Sequence, residues 1–136
     1  MSIFKIVVSF ILTLIIFLGL DGIWLVKVAP RLYKHFIGHL LAAKPNLVAA
    51  LVFYLLFISG LLIFVIIPAL NKHSLGYAAL YGALFGFFTY MTFDLTSQAV
   101  FKNWPSAISV IDISWGVILS TLVSIFSYSV INNFIK

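Results

Sequence analysis

Three aspartates are the only carboxylate side chains in the sequence, and their positions suggest one shared site. Asp21 lies about five residues before the end of the first long apolar run, and Asp94 lies about five before the end of the third. Asp112 lies about five residues after the start of the fourth run. Because consecutive membrane helices reverse direction and rise about 1.5 Å per residue, all three should lie roughly 7–9 Å inside one membrane boundary. Ionised carboxylates facing lipid are costly, so we predict that they face the bundle interior, where they could supply charge or exchange protons.

Aromatic side chains accompany these acids. The segments "DGIW" and "DISW" place Trp24 three residues after Asp21, and Trp115 three residues after Asp112, on the same helix faces. Because the two helices run in opposite directions, Trp24 should point toward the interface and Trp115 deeper into the bundle. We predict that the Trp115 N–H bonds a polar partner in the acid layer. Tyr90, four residues before Asp94, is predicted to form a further wall.

A basic, amphipathic segment follows the first run. In "PRLYKHFIGHLLAAK", polar and small residues recur at helical spacing opposite an apolar face, which predicts an interfacial helix over about 31–43. Its Arg31, His35 and His39 lie on the polar face and could form the rim of the acid layer. Histidine and aspartate are suitable metal ligands, but no metal-binding signature is present. We therefore predict neither a metal nor another cofactor.

The elements that must position these residues are membrane helices. With 64% hydrophobic and 8% charged residues, the chain cannot cover a water-soluble globule of its size. Apolar runs of about 20 residues suffice to cross a bilayer. We predict an all-α, four-transmembrane-helix bundle forming a single integral membrane domain over 1–136, with an interfacial amphipathic helix between spans one and two. The predicted spans are about 3–26, 46–67, 76–99 and 107–131.

Small residues should allow one close helix contact. Ala78, Gly82 and Gly86 recur every four residues along span three, and this ridge leads on to Tyr90 and Asp94. A ridge of this kind lets a neighbouring helix approach closely. The Asp94 side of span three is therefore predicted to be its packed, polar side.

Charge and cysteine content exclude several classes of function. The net charge of +5 comes from residues between apolar runs, where they serve orientation and lipid headgroups, so nucleic acid is not an expected partner. The absence of cysteine excludes thiol chemistry and disulfides. Basic residues favour the first and third loops, which we predict to be cytoplasmic with both termini outside. The counted residues are Lys27, Arg31, Lys34, Lys44 and Lys102 on that side, against Lys5, Lys72 and Lys136 on the other.

Several segments together resemble a bacterial family of small, four-span predicted inner-membrane proteins catalogued only as a domain of unknown function. These segments are "LDGIWL", "IGHLLAAKPN", "FYLLFISG", "FVIIPAL", "GALFGFFTYMTFDLTSQAV" and "DISWG". The resemblance covers nearly the whole chain and is most specific at "GALFGFFTY…DLT". It implies a bacterial inner membrane and a four-helix fold, and it brings no activity or catalytic residue.

The residues favour ligand binding as the function of the acid layer. We expect a lipid, another small amphipathic ligand or exchanged protons at the site, with membrane lipids as partners. One alternative is a lipid-modifying enzyme that uses the histidines and aspartates as metal ligands or acid/base groups. The other is a structural or accessory subunit, in which the acids pin the helices or contact a second copy or another membrane protein.

Overall fold

Four long helical rods form the protein. The computed structural model describes residues 1–135, so Lys136, which entered the charge count above, lies outside the described residues. Within them, all four rods are long and apolar enough to cross a membrane, which confirms the predicted fold class. The α-helices are α1 (Ile3–Ile23), α2 (Ala29–Ile37), α3 (Leu47–Leu61), α4 (Ile67–Asn71), α5 (Leu75–Val100) and α6 (Ser106–Phe134).

The amphipathic helix is continuous with the first span. A π-helical turn over Trp24–Val28 joins α1 to α2, and a 3₁₀ turn over Gly38–Leu40 ends the rod. The segment predicted as a separate interfacial helix over 31–43 is therefore the last part of one rod, Ile3–Leu40, and it ends three residues early. The amphipathic pattern was correct, but the expected break after residue 26 is absent.

The break is absent because the helix accommodates Pro30. Proline removes a backbone N–H and its ring crowds the carbonyl four residues earlier. A π-helical turn directly before the proline widens the helix and absorbs this mismatch. The second rod repeats the arrangement, with a π-helical turn over Leu62–Ile66 and Pro68 in the first turn of α4. Span two therefore runs to Asn71 instead of ending at 67.

The remaining helix ends agree with the sequence signals. Ser2, Asn46 and Ser74 cap α1, α3 and α5 by accepting hydrogen bonds from backbone N–H groups three residues later, at 3.0–3.2 Å. His73 and Asn103 take positive φ in the turns before α5 and α6, at 49° and 58°. Such short turns make α5 an antiparallel neighbour of both α4 and α6. The helices α5 and α6 each begin one residue before the predicted start of their spans.

The closest helix contact joins α5 to α6 through glycines. A Cβ added at Gly82 would lie 2.9 Å from the carbonyl oxygen of Ser120, and one at Gly86 would overlap the carbonyl oxygen of Gly116. The ring of Tyr90, one turn farther along α5, occupies the space that a side chain on Gly116 would need. The small-residue ridge predicted on span three is therefore a buried contact, and its partner is span four.

The first and second rods contact α5 and α6 along only part of their lengths. Phe17 of α1 and Phe57 of α3 meet Leu119 and Val123 of α6 in the core of the bundle. The second rod approaches α5 mainly at residues 62–66, where its π-helical turn lies. The first half of α3 diverges from α5 toward the face that carries the aspartates, and a space opens between the rods there.

We predict that Gly86→Ala destabilises the protein by about 1–3 kcal/mol, because the added methyl group would force the backbones of α5 and α6 apart. Gly22→Ala is the matched control, since nothing lies within 4 Å of a Cβ there. The control should unfold like the parent protein or slightly later, because alanine is favoured over glycine inside a helix. Thermal unfolding in nonionic detergent, followed by circular dichroism, measures both, and equal stability of the two variants would contradict the close contact.

Candidate functional site

An aromatic cavity of ≈ 350 Å³ lies between the four rods, at the depth predicted for the aspartates. All four rods contribute side chains, and most of these are aromatic. The lining residues are Asp21, Trp24, Leu25 and Tyr33 from the first rod, Phe53, Tyr54 and Phe57 from the second, Thr89, Tyr90 and Phe93 from α5, and Asp112 and Trp115 from α6. We refer to this space as the aromatic cavity.

The Asp21 side of the cavity is held by two indoles. The Nε1–H of Trp115 donates a hydrogen bond to Oδ1 of Asp21 at 3.2 Å, which confirms the polar partner predicted for this residue. Trp24 stacks on Trp115, with ring centroids 4.5 Å apart and planes inclined by 7°. Trp24 therefore packs within the bundle on the other indole, whereas the sequence suggested that the two pointed to different depths.

Tyr33 lines the cavity beside Asp112. Its hydroxyl donates a hydrogen bond to Oδ1 of Asp112. In a straight helix, the rise along the axis from Trp24 to Tyr33 would be about 13.5 Å. Their partners on α6, Trp115 and Asp112, are separated by a rise of only about 4.5 Å. The α2 segment must therefore turn toward the end of α6. Ala29 and Ile37, four residues to either side of Tyr33, are buried on the same helix face.

Asp94 lies behind the cavity wall, beside Asp112. Its side chain is 1% exposed, and neither carboxyl oxygen receives a hydrogen bond from any group in residues 1–135. Ser109, three residues before Asp112 on α6, has its Oγ 3.4 Å from the backbone carbonyl oxygen of Asp94, so the two acids are neighbours across the α5–α6 contact. Two ionised carboxylates would repel, and neither could donate. We therefore expect the two acids to share one proton.

The three aspartates are all buried, as predicted, and two of them face the cavity. Asp21 is 7% exposed and Asp112 is 9% exposed. In contrast, the mouth of the cavity is apolar and open to the side of the bundle. Phe53 is 43% exposed and Phe93 is 58% exposed, so the cavity opens where lipid would surround the protein.

The basic rim residues predicted from sequence lie elsewhere. Arg31, His35 and His39 are exposed on the first rod and do not line the cavity. Among residues 1–135, no three His or Asp side chains come together in a way that could hold a metal ion. The described part of the chain therefore does not contain the His and Asp metal site considered as an alternative above.

Several lining residues were not predicted from the sequence. Tyr33 carried a weak signal, because it lies midway between Ala29 and Ile37 at four-residue spacing. Phe53, Tyr54 and Phe57 carried none, since their span has no charge and its aromatic residues look like lipid-facing ones. Their role depends on how far α3 diverges from α5, which is a property of the packed bundle.

We predict that Asp94→Asn unfolds within about 1 kcal/mol of the parent protein. The asparagine amide can donate to Asp112 as the shared proton does. The nearly isosteric Asp94→Val should instead lose about 1–3 kcal/mol, because Asp112 is left with an unsatisfied acceptor. Denaturant unfolding in nonionic detergent measures both. A large loss in Asp94→Asn would contradict a proton shared between Asp94 and Asp112.

Comparison with known proteins places the chain in a family. No curated protein and no solved structure matches the chain. A family model described as "Predicted membrane protein (DUF2177)" matches residues 6–129, which include every lining residue of the aromatic cavity. This family is one of unknown function, as the resemblance noted above implied. The chain belongs to the DUF2177 family of predicted membrane proteins.

Proposed function

We propose that the protein binds a lipid or another small amphipathic ligand in the aromatic cavity. The single observation that carries this proposal is the polarity gradient along the cavity. Its inner part holds two buried carboxylates, Asp21 and Asp112, and its mouth is framed by the exposed rings of Phe53 and Phe93. A ligand with a polar head and an apolar tail matches both ends.

The size of the cavity supports a small ligand or the head of a larger one. Its volume of ≈ 350 Å³ is at the lower end of the range found for ligand pockets. An apolar tail can extend through the lateral mouth into the bilayer, so the cavity need not enclose the whole molecule. Aromatic walls with few polar groups are typical of sites that bury most of a ligand head and orient it.

The open volume beside Asp21 and Asp112 also argues against a purely structural role for these acids. Residues that only lock helices together pack without leaving space between them. Here Asp21 and Asp112 border an open volume, and each uses one oxygen for a bond to an aromatic side chain. Asp94, which lies behind the wall, is the one acid of the three that a structural role would explain.

We predict that Thr89→Trp abolishes ligand retention, because the large ring would fill the mouth of the cavity. Thr92→Trp is a closely matched control. Both threonines are exposed on α5 and donate to the backbone carbonyl four residues earlier, at 2.7 Å and 2.6 Å, but only Thr89 lines the cavity. Native mass spectrometry after purification in mild nonionic detergent should show about one bound amphiphile on the parent protein and on the control.

Other outcomes of this measurement favour the alternatives. A parent protein without retained amphiphile, combined with variants that differ only in thermal stability, would favour the structural or accessory role. Stoichiometric zinc or iron in the same spectra would favour the lipid-modifying enzyme. Retention by Thr89→Trp equal to that of Thr92→Trp would place the ligand outside the cavity and contradict the proposal.

We also infer that the protein resides in a bacterial inner membrane with the aromatic cavity near the cytoplasmic face and both termini outside. The location rests on the family resemblance, and the orientation rests on the excess of lysine and arginine in the first and third loops. Asp21, Asp94 and Asp112 lie on the side of those loops.

This orientation can be tested by single-cysteine labelling, since the chain has no native cysteine. Lys34→Cys should be protected from a membrane-impermeant maleimide in intact cells, because it lies on the cytoplasmic side. Lys72→Cys should be labelled, because it lies in the turn on the opposite side. The reverse labelling pattern would invert the proposed topology.

A further inference from the structure

We propose that the aromatic cavity selects amphiphiles whose head carries a positive charge, such as a primary or quaternary ammonium group. This inference rests on the proposed function and specifies the chemical class of the ligand. It follows from three properties of the cavity wall: the sign of its charges, its excess of hydrogen-bond acceptors, and its aromatic faces.

The ionisable groups that face the cavity are acids and phenols. Asp21 and Asp112 line it together with Tyr33, Tyr54 and Tyr90, and no lysine, arginine or histidine of the described chain contributes to the lining. The basic residues of the adjoining α2, including Arg31 and Lys34, are exposed on the outside of the bundle. An anionic head would therefore meet carboxylates without a compensating cation, which is costly at low dielectric.

The carboxylate of Asp21 also has unused acceptor capacity. Asp21 accepts one hydrogen bond from Trp115, and Asp112 accepts one from Tyr33, in each case at Oδ1. From residues 1–135, the Oδ2 atom of Asp21 receives no hydrogen bond, whereas the second oxygen of Asp112 is the one expected to share a proton with Asp94. An ammonium group supplies positive charge, and a primary ammonium also supplies three N–H donors, so it would neutralise and satisfy this end of the cavity.

The aromatic faces favour an organic cation over an inorganic one. Eight of the twelve lining residues are aromatic, and the stacked pair Trp24 and Trp115 adjoins Asp21. A cation above an aromatic ring is attracted by the quadrupole of the ring, and cages of such rings recognise quaternary ammonium groups. Hard inorganic cations instead require several oxygen ligands, and the wall provides few.

Three octyl compounds of equal chain length test the charge preference. Octyltrimethylammonium carries the positive head, its analogue with carbon in place of nitrogen is neutral, and octyl sulfate is anionic. Binding is followed by indole fluorescence of the Trp104→Phe protein in nonionic detergent, because Trp104 lies outside the cavity. We expect the cation to bind at least about tenfold more tightly than the neutral analogue, a difference of about 1.4 kcal/mol.

Variants assign this preference to the cavity. Asp112→Asn should reduce the cation preference several-fold, and Asp21→Asn provides an independent second variant should the first fail to fold. Asn71→Lys is the control, because it raises the net charge by the same amount on the opposite side of the bundle and should keep the preference of the parent protein. Loss of the preference in Asn71→Lys would show that it reflects overall charge, and would overturn the inference.

The remaining outcomes separate this inference from the proposed function. Equal binding of the cation and its neutral analogue, or tighter binding of octyl sulfate, would overturn the charge selection while leaving amphiphile binding intact. If tetramethylammonium, which has no tail, bound as tightly as the octyl cation, the ligand would be a small cation and the amphiphile proposal would fall. Failure of all three octyl compounds to bind, with no lipid retained in native mass spectra, would contradict both.

Discussion

The close contact between α5 and α6 determines the register on which the candidate site depends. Gly82, Gly86 and Gly116 remove the side chains that would hold the two backbones apart. In a bilayer, where lipid tails are as apolar as the helices, such tight packing is a main source of helix association. With this contact fixed, the antiparallel register brings Asp94 to the part of α6 that carries Ser109 and Asp112, and the ring of Tyr90 over Gly116. The glycines therefore position the carboxylates without lining the cavity themselves.

The aromatic cavity arises where this tight packing ends. α5 and α6 stay together along their length, and α3 diverges from α5 toward the aspartate face. The space between α3 and α5 is lined by aromatic side chains, which are long enough to reach into it from both helices. The hydrogen bonds of Tyr33 to Asp112 and of Trp115 to Asp21 then fix the first rod across the opening. The close packing of α5 on α6 and the separation of α3 from α5 together account for the cavity.

The sequence predicted the features that depend on a single helix or on helix direction. Span positions, burial of Asp21, Asp94 and Asp112, and the polar partner of Trp115 all follow from apolar runs, helix rise and the cost of charge in lipid. The small-residue ridge of α5 was recognisable for the same reason. These are local rules, and they hold because the bilayer allows few alternatives.

Features that depend on helix bending and divergence could not be predicted in this way. The predicted ends of spans one and two, at about 26 and 67, were wrong because π-helical turns before Pro30 and Pro68 let the helices continue. The continued helix carries Tyr33 to Asp112 and leaves Arg31, His35 and His39 outside. The contributions of Phe53 and Phe57 likewise follow from the angle of α3, which no pattern within that span encodes.

The lateral mouth determines the route by which a ligand would enter the cavity. Phe53 and Phe93 frame an opening at the side of the bundle. Molecules that enter there have already partitioned into the bilayer, so their concentration at the mouth is set by their mole fraction among the membrane lipids. If the cavity binds amphiphiles as proposed, its occupancy would report membrane composition, and two amphiphiles with equal intrinsic affinity would be distinguished by how strongly each one partitions. The bilayer would then act as a first filter, before any contact with the carboxylates.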